Sequence, residues 1–189
     1  RIEMLRAIGV AHKVHPADID ETPLVGESPE QLVARLSRAK VAAIEPLYID
    51  EPILGVDTII VVDGVILGKP SHMGAARQMI QLLSGKKHQA LTGYCLKYFS
   101  SDAEPKILQR CITTFVTVRT LAAHEIEAYL ASEEWRGKAG GYAIQGKFSI
   151  FVKEIQGNSD TVIGLPLCDL VQDLQQVGIL TEKFPSWAR

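Results

Sequence analysis

An excess of positive charge is missing from this chain: 20 Lys and Arg stand against 22 Asp and Glu, a formal net charge of -2. That excludes a nucleic-acid binder relying on bulk electrostatics and leaves room for a local cationic pocket that takes a small anion. Cysteine is scarce. Cys95, Cys111 and Cys168 are odd in number, widely spaced and without a Cys-x-x-Cys pair, which excludes a disulfide framework and points to reduced thiols in a cytoplasmic protein. The five histidines show no zinc spacing. No apolar run approaches the roughly 20 residues of a membrane helix, and no charged and apolar leader is expected before the first helix. A serine nucleophile elbow, a Walker phosphate loop and internal repeats are also missing. What is there, 189 residues at 47% hydrophobic and 22% charged, suits one globular domain over 1–189 with a sizeable core.

Glycine is concentrated in one place. Gly137-Lys138-Ala139-Gly140-Gly141-Tyr142-Ala143-Ile144-Gln145-Gly146 sets four glycines within ten residues, bracketing a lysine, a tyrosine and a glutamine. Glycine at this density permits positive φ and a close approach of main-chain N–H groups to a ligand, and phosphate-binding nests use that geometry. An ordinary surface loop is the alternative.

Around that loop the periodicities predict interleaved helices and strands. Residues 2–8 read as a short helix stopped by Gly9, and residues 10–15 as a strand ended by Pro16. Ser28-Pro29-Glu30-Gln31 combines an N-cap, a proline at the first helical position and a capping-box glutamine ahead of Leu32, Val33, Leu36, Ala39, Ala43 and Ile44. Residues 53–56 and 59–62 are β-branched, and Asp63-Gly64 signals a hairpin. A helix over 75–83, a long hairpin of 89–99 with 107–121 around a polar turn at 100–105, a helix over 124–131, a strand over 149–155 and a helix over 167–177 complete the pattern. Because some neighbouring strands are joined by turns, the expected fold class is α/β with a mixed, twisted sheet flanked by helices.

Several side chains carry chemistry in this frame. Asp57 lies inside Ile53-Leu54-Gly55-Val56-Asp57-Thr58-Ile59-Ile60-Val61-Val62, where a buried carboxylate needs a cation, a metal or a functional role; an Asp-Thr turn that bends outward is the alternative. Glu21 ends the acidic Asp18-Ile19-Asp20-Glu21 run, either a solvated loop or a hard oxygen ligand for Mg2+. Lys40 sits one turn beyond Leu36, as a snorkelling lysine or an anion contact, while Lys69 is held between Gly68 and Pro70 as a fixed point charge. Thr58 and Gln145 offer directional hydrogen bonds to a base edge, or are a β-former and a loop amide. Tyr142 either stacks on a base or packs, and Trp135 and Trp187 read as packing or partly exposed residues.

Asp18-Ile19-Asp20-Glu21-Thr22, Gly55-Val56-Asp57-Thr58 with Gly68-Lys69-Pro70, the glycine loop, and Val162-Ile163-Gly164-Leu165-Pro166-Leu167 occur in one order along nearly the whole chain. With them the sequence resembles the Maf family of nucleoside triphosphate pyrophosphatases. The resemblance implies a two-lobed, ITPase-like fold with a central nucleotide cleft, and Mg2+-dependent release of pyrophosphate from a nucleoside triphosphate, with Mn2+ or Co2+ as alternative metals. It implies Asp57 as general base, Glu21 as metal ligand, Lys40, Lys69 and Arg1 as phosphate contacts, and Thr58 and Gln145 as specificity positions. The Tyr142-Ala143-Ile144-Gln145-Gly146 run is similar to the branch acting on dTTP and UTP rather than on 7-methyl-GTP. A cytoplasmic homodimer that removes unwanted nucleotides follows, and a nucleotide-binding regulator of cell division without turnover is the rival. Family members usually begin with a strand and a Ser-x-Ser-Pro-Arg-Arg loop; Arg1 resembles the second arginine of that loop.

Overall fold

In a computed structural model, residues 1–99, 104–181 and 184 are described; the expected turn at 100–105 falls mostly outside them, as does Trp187. Helices α1 (Ile2–Ala7) and α2 (Pro29–Ile44) precede strands β1 (Ile53–Val62) and β2 (Val65–Leu67). Helix α3 (Met73–Leu83), strands β3 (Lys87–Phe99) and β4 (Pro105–Val118), helix α4 (Ala123–Ala131), strand β5 (Val152–Gln156) and helices α5 (Ser159–Ile163) and α6 (Leu167–Gln176) follow. The five strands form one sheet in the order β2-β1-β3-β4-β5, so the α/β architecture with flanking helices is as the sequence implied. The sheet is more uniformly antiparallel than the mixed one expected. Turns explain part of this: β1 reaches β2 through Asp63 and Gly64, whose φ values of 49 and 78 suit the tight hairpin turn.

Two local expectations change. Residues 10–15 form no strand, and Val14 stays exposed; a short β-rich run needs a neighbouring edge to pair with. Residues Lys147–Phe151 turn as a 3-10 segment before β5 begins at Val152, because Phe148 and Phe151 are both drawn into the core.

The chain separates into two compact units. Unit 1 comprises Arg1–Asp57, Gly93–Cys111 and Gly164–Arg189, and unit 2 comprises Thr58–Thr92 and Ile112–Ile163. In unit 1 the capping box at Ser28 and Gln31 is formed as expected, and Leu32, Val33, Leu36 and Val41 bury one stripe of α2. In unit 2 a core of Ile60, Val62, Ile80, Leu83, Leu130, Trp135, Phe148 and their neighbours joins β1, α3, α4 and the segment after the glycine loop. No helix among the described residues is long and apolar enough to cross a membrane.

Candidate active site

The charged cluster of unit 1 is built on a close approach of α2 to the sheet. A Cβ at Gly55 would overlap the Ser37 carbonyl oxygen and come 2.9 Å from Val41 Cγ2, and one at Gly93 would come 2.7 Å from the Val33 carbonyl oxygen. Glycine at both positions therefore lets the helix backbone lie directly on β1 and β3. Lys40, one residue before buried Val41, then reaches β1. Its Nζ lies 2.5 Å from Asp57 Oδ1 and 2.8 Å from Glu21 Oε1. The Asp57 side chain is 8% exposed and that of Lys40 16%, against 41% for Glu21. Asp57 thus stands within a regular strand with its charge compensated, not in an outward turn. Lys40 is no solvent-directed surface lysine, and Glu21 is ion-paired.

Arg1 joins the same group. Its Nε donates to the Gly164 carbonyl at 2.7 Å. Desolvation lowers the guanidinium pKa from its ordinary value, opposed by the fields of Asp57 and then Glu21; the group stays protonated throughout the working pH range. Two carboxylates and two cations drawn from four separated sequence positions therefore converge in unit 1.

No three His, Cys, Asp or Glu side chains gather into a metal-holding group among the described residues. Two carboxylates sharing one ammonium are nonetheless a donor set that fits Mg2+ in a phosphate site, where one or two carboxylates act together with substrate oxygens and water.

The remaining predicted residues belong to unit 2. Gly140 N–H donates to the Gly68 carbonyl at 2.9 Å, and a side chain on Gly141 would face Pro70 and Ala76. The glycine loop is thereby fastened to the turn that carries exposed Lys69. Gly140 and Gly141 have φ of 66 and 72, which is why this junction is glycine. Gln145 is exposed beyond it. Thr58 Oγ1 lies 2.9 Å from Thr92 Oγ1, and Thr92 Oγ1 donates to the Thr161 carbonyl at 2.7 Å. Since Thr92 has one hydroxyl hydrogen and a carbonyl only accepts, Thr58 is the donor of the pair. Tyr142 packs: it is 5% exposed, its ring centroid is 4.6 Å from that of Phe148, and its hydroxyl lies 2.8 Å from His88 Nε2.

Sequence reasoning missed three groups. Asp173 on α6 takes Arg110 Nη2 on Oδ1 at 2.8 Å and both Arg110 Nε and the Tyr94 hydroxyl on Oδ2, at 3.0 and 2.5 Å. Arg110 and then Tyr94 hold the Asp173 carboxyl below its ordinary pKa. Helical spacing carried a signal, because Asp173 follows Leu170 by three residues and precedes Leu174 on the buried stripe. His88 is buried, with Nδ1 unpartnered and burial pulling its pKa down to about 4. Glu134 accepts the Lys147 N–H beside the glycine loop, and nothing in the local sequence announced that contact.

Comparison with known proteins extends this picture. Residues 1–177 match a family described as Maf-like protein. A dTTP/UTP pyrophosphatase from Syntrophus aciditrophicus (strain SB) is 39% identical over 181 residues, covering 96% of this chain and 87% of the relative. The dTTP/UTP pyrophosphatase of Bacillus anthracis (strain CDC 684 / NRRL 3495) is 41% identical over 179 residues, covering 95% and 91%. That of Bacillus cereus (strain ATCC 10987 / NRS 248) is 41% identical over 179 residues, covering 95% and 86%.

Proposed function

The chain belongs to the Maf-like protein family, and from that premise we propose that it hydrolyses nucleoside triphosphates, dTTP and UTP foremost, to the nucleoside monophosphate and pyrophosphate. The observation that carries the reading is the Glu21–Lys40–Asp57 cluster, a buried carboxylate on a rigid strand beside a second carboxylate and a shared ammonium. The names of the relatives support the choice of dTTP and UTP.

In the proposed reaction Asp57 takes a proton from the attacking water as its oxygen bonds to the α-phosphorus. The bond from that phosphorus to the bridging oxygen of the β-phosphate breaks, and pyrophosphate leaves with the electron pair. Glu21, with Asp57 beside it, would hold Mg2+, which when bound supplies positive charge against the phosphate oxygens. Lys40 serves twice: it compensates Asp57 within the fold, and its ammonium lies where an incoming polyphosphate would compete with Glu21 for it. Arg1 and Lys69 add cationic contacts to the phosphates, the former through a planar fork and the latter as a point charge. Thr58 and Gln145 read the base. A cytoplasmic location agrees with free Cys95, Cys111 and Cys168, and a homodimer is the assembly the family resemblance implies.

A pyrophosphate-release assay across dTTP, UTP, CTP, ATP, GTP and 7-methyl-GTP, with and without Mg2+, tests the proposal. Higher kcat/KM for dTTP and UTP, lost on chelation, is the expected result. Gln145→Ala is expected to narrow the preference more than it lowers overall turnover, because a site that hydrogen-bonds a base edge rejects the wrong base by leaving polar groups unpaired. A best rate on 7-methyl-GTP would overturn the substrate assignment, and tight nucleotide binding without pyrophosphate release would favour a regulator of cell division.

A further inference from the structure

Gly146 is a glycine for which the backbone gives no reason. Its φ of -109 and ψ of -152 lie on the side of the map that L side chains occupy. The space a side chain would take is filled by Glu134: a Cβ there would collide with Glu134 Oε1 and approach the rest of that carboxylate, so the flexible acid would have to swing away. The same carboxylate accepts the next N–H along, that of Lys147, at 2.7 Å on Oε2 and 3.1 Å on Oε1. It thus caps the start of the 3-10 turn Lys147–Phe151, where a negative group meets an otherwise unused donor.

Gln145 is bracketed by this contact. On its other side Gly146 N–H returns to the Ala143 carbonyl at 3.1 Å. Beyond both bonds lie two buried aromatic anchors, Tyr142 and Phe148, in ring contact with each other. The exposed glutamine is therefore carried on a short arch with aromatic feet, and the Glu134 carboxylate grips the arch at the Lys147 N–H.

We propose that Glu134 is a positioning residue for base selection: by holding the Lys147 N–H against a side-chain-free Gly146, it fixes the direction in which the Gln145 amide meets the nucleobase. The proposal rests on the reading of Gln145 as the base-recognition amide.

The test is the ratio of kcat/KM for UTP over GTP, with melting temperatures, in Glu134→Ala, Glu134→Gln, Gly146→Ala, the Glu134→Ala/Gly146→Ala double variant and Gln145→Ala. Loss of a charge-assisted hydrogen bond predicts a fall of about tenfold in the ratio for Glu134→Ala. Glu134→Gln retains most of it, because the amide oxygen still accepts the Lys147 N–H. Gly146→Ala matches the loss by pushing the carboxylate away, and the double variant is no worse than Glu134→Ala alone, since the added methyl then has nothing to strike. A ratio that collapses in Gln145→Ala but survives in Glu134→Ala overturns this inference alone, even if Glu134→Ala melts lower. Additive losses in the double variant overturn it as well. A ratio unchanged in Gln145→Ala removes the underlying reading and the inference with it.

Discussion

Two aspartates are buried among the described residues of unit 1, and they are handled in opposite ways. Asp173 has both oxygens occupied, by the Arg110 fork and the Tyr94 hydroxyl. Asp57 is bonded through Oδ1 to one ammonium, and that ammonium is shared with Glu21 on a loop. The first arrangement closes a carboxylate into the packing and fixes α6 to β3 and β4. The second holds a carboxylate within a strand while leaving its partner a competing attachment. Burial of charge alone does not mark a reactive site; the way the partner is engaged separates a structural pair from one that can exchange its contacts.

Substitution of the two aspartates tests that contrast most sharply. Asp57→Asn keeps shape and removes the proposed general base, so kcat is expected to fall by about 10² to 10⁴ with nucleotide binding and melting temperature largely kept. A well-folded variant with normal kcat would erase the functional half of the comparison. Asp173→Ala is expected to do the reverse, lowering stability by about 3–4 kcal/mol in denaturant titration, because the Tyr94 hydroxyl loses its acceptor and Arg110 its counter-charge. Turnover per folded molecule should hardly change, and a large loss of kcat without loss of stability would move Asp173 into the reaction.

His88 supplies a third way of burying an ionisable group, as the neutral form. Its folded pKa is about 4 against an ordinary 6.5, so below pH 6.5 the unfolded chain binds a proton that the folded chain refuses. Stability on this account is full above about pH 6.5, declines as pH falls toward 4 and levels below that, a total on the order of 3 kcal/mol. His88→Gln should remove this decline, so that the difference between wild-type and variant stability changes with pH across that window, and parallel curves would show that His88 does not titrate as its burial requires. The smallest effect belongs to Arg110→Lys, which keeps the charge and loses the fork. About 1 kcal/mol is expected in a melt, since half-exposed Arg110 pays little to regain water, and a loss as large as that of Asp173→Ala would mean that geometry outweighs charge.

Much of this was legible in the sequence wherever the cause was local. Ser28, Pro29 and Gln31 announced α2 because a cap is satisfied within four residues, and Asp63-Gly64 announced its turn because both residues tolerate positive φ. Asp57 stood out because an apolar strand makes any carboxylate conspicuous. Lys40 was open to two readings, a snorkelling lysine or an anion contact, and its pairing with Asp57 was not legible, since the helix pattern gives the face of α2 but not its distance from the sheet. Tyr94 and Arg110 gave no hint of Asp173, 79 and 63 residues away, because long-range pairing leaves no periodic trace. Glu134 was invisible for a related reason: its effect is written at Gly146, as an empty space.

The glycines beneath α2 bear on any attempt to stabilise this protein by redesign. Replacing strand glycines with alanine or valine ordinarily raises melting temperature by restricting the unfolded chain and adding β-propensity. At Gly55 and Gly93 the added carbon would instead lever the helix off the sheet, withdrawing Lys40 from Asp57. A library enriched for thermal resistance should therefore preserve these two positions while accepting change around them, and they serve as sentinels for whether selection has kept the charged cluster intact.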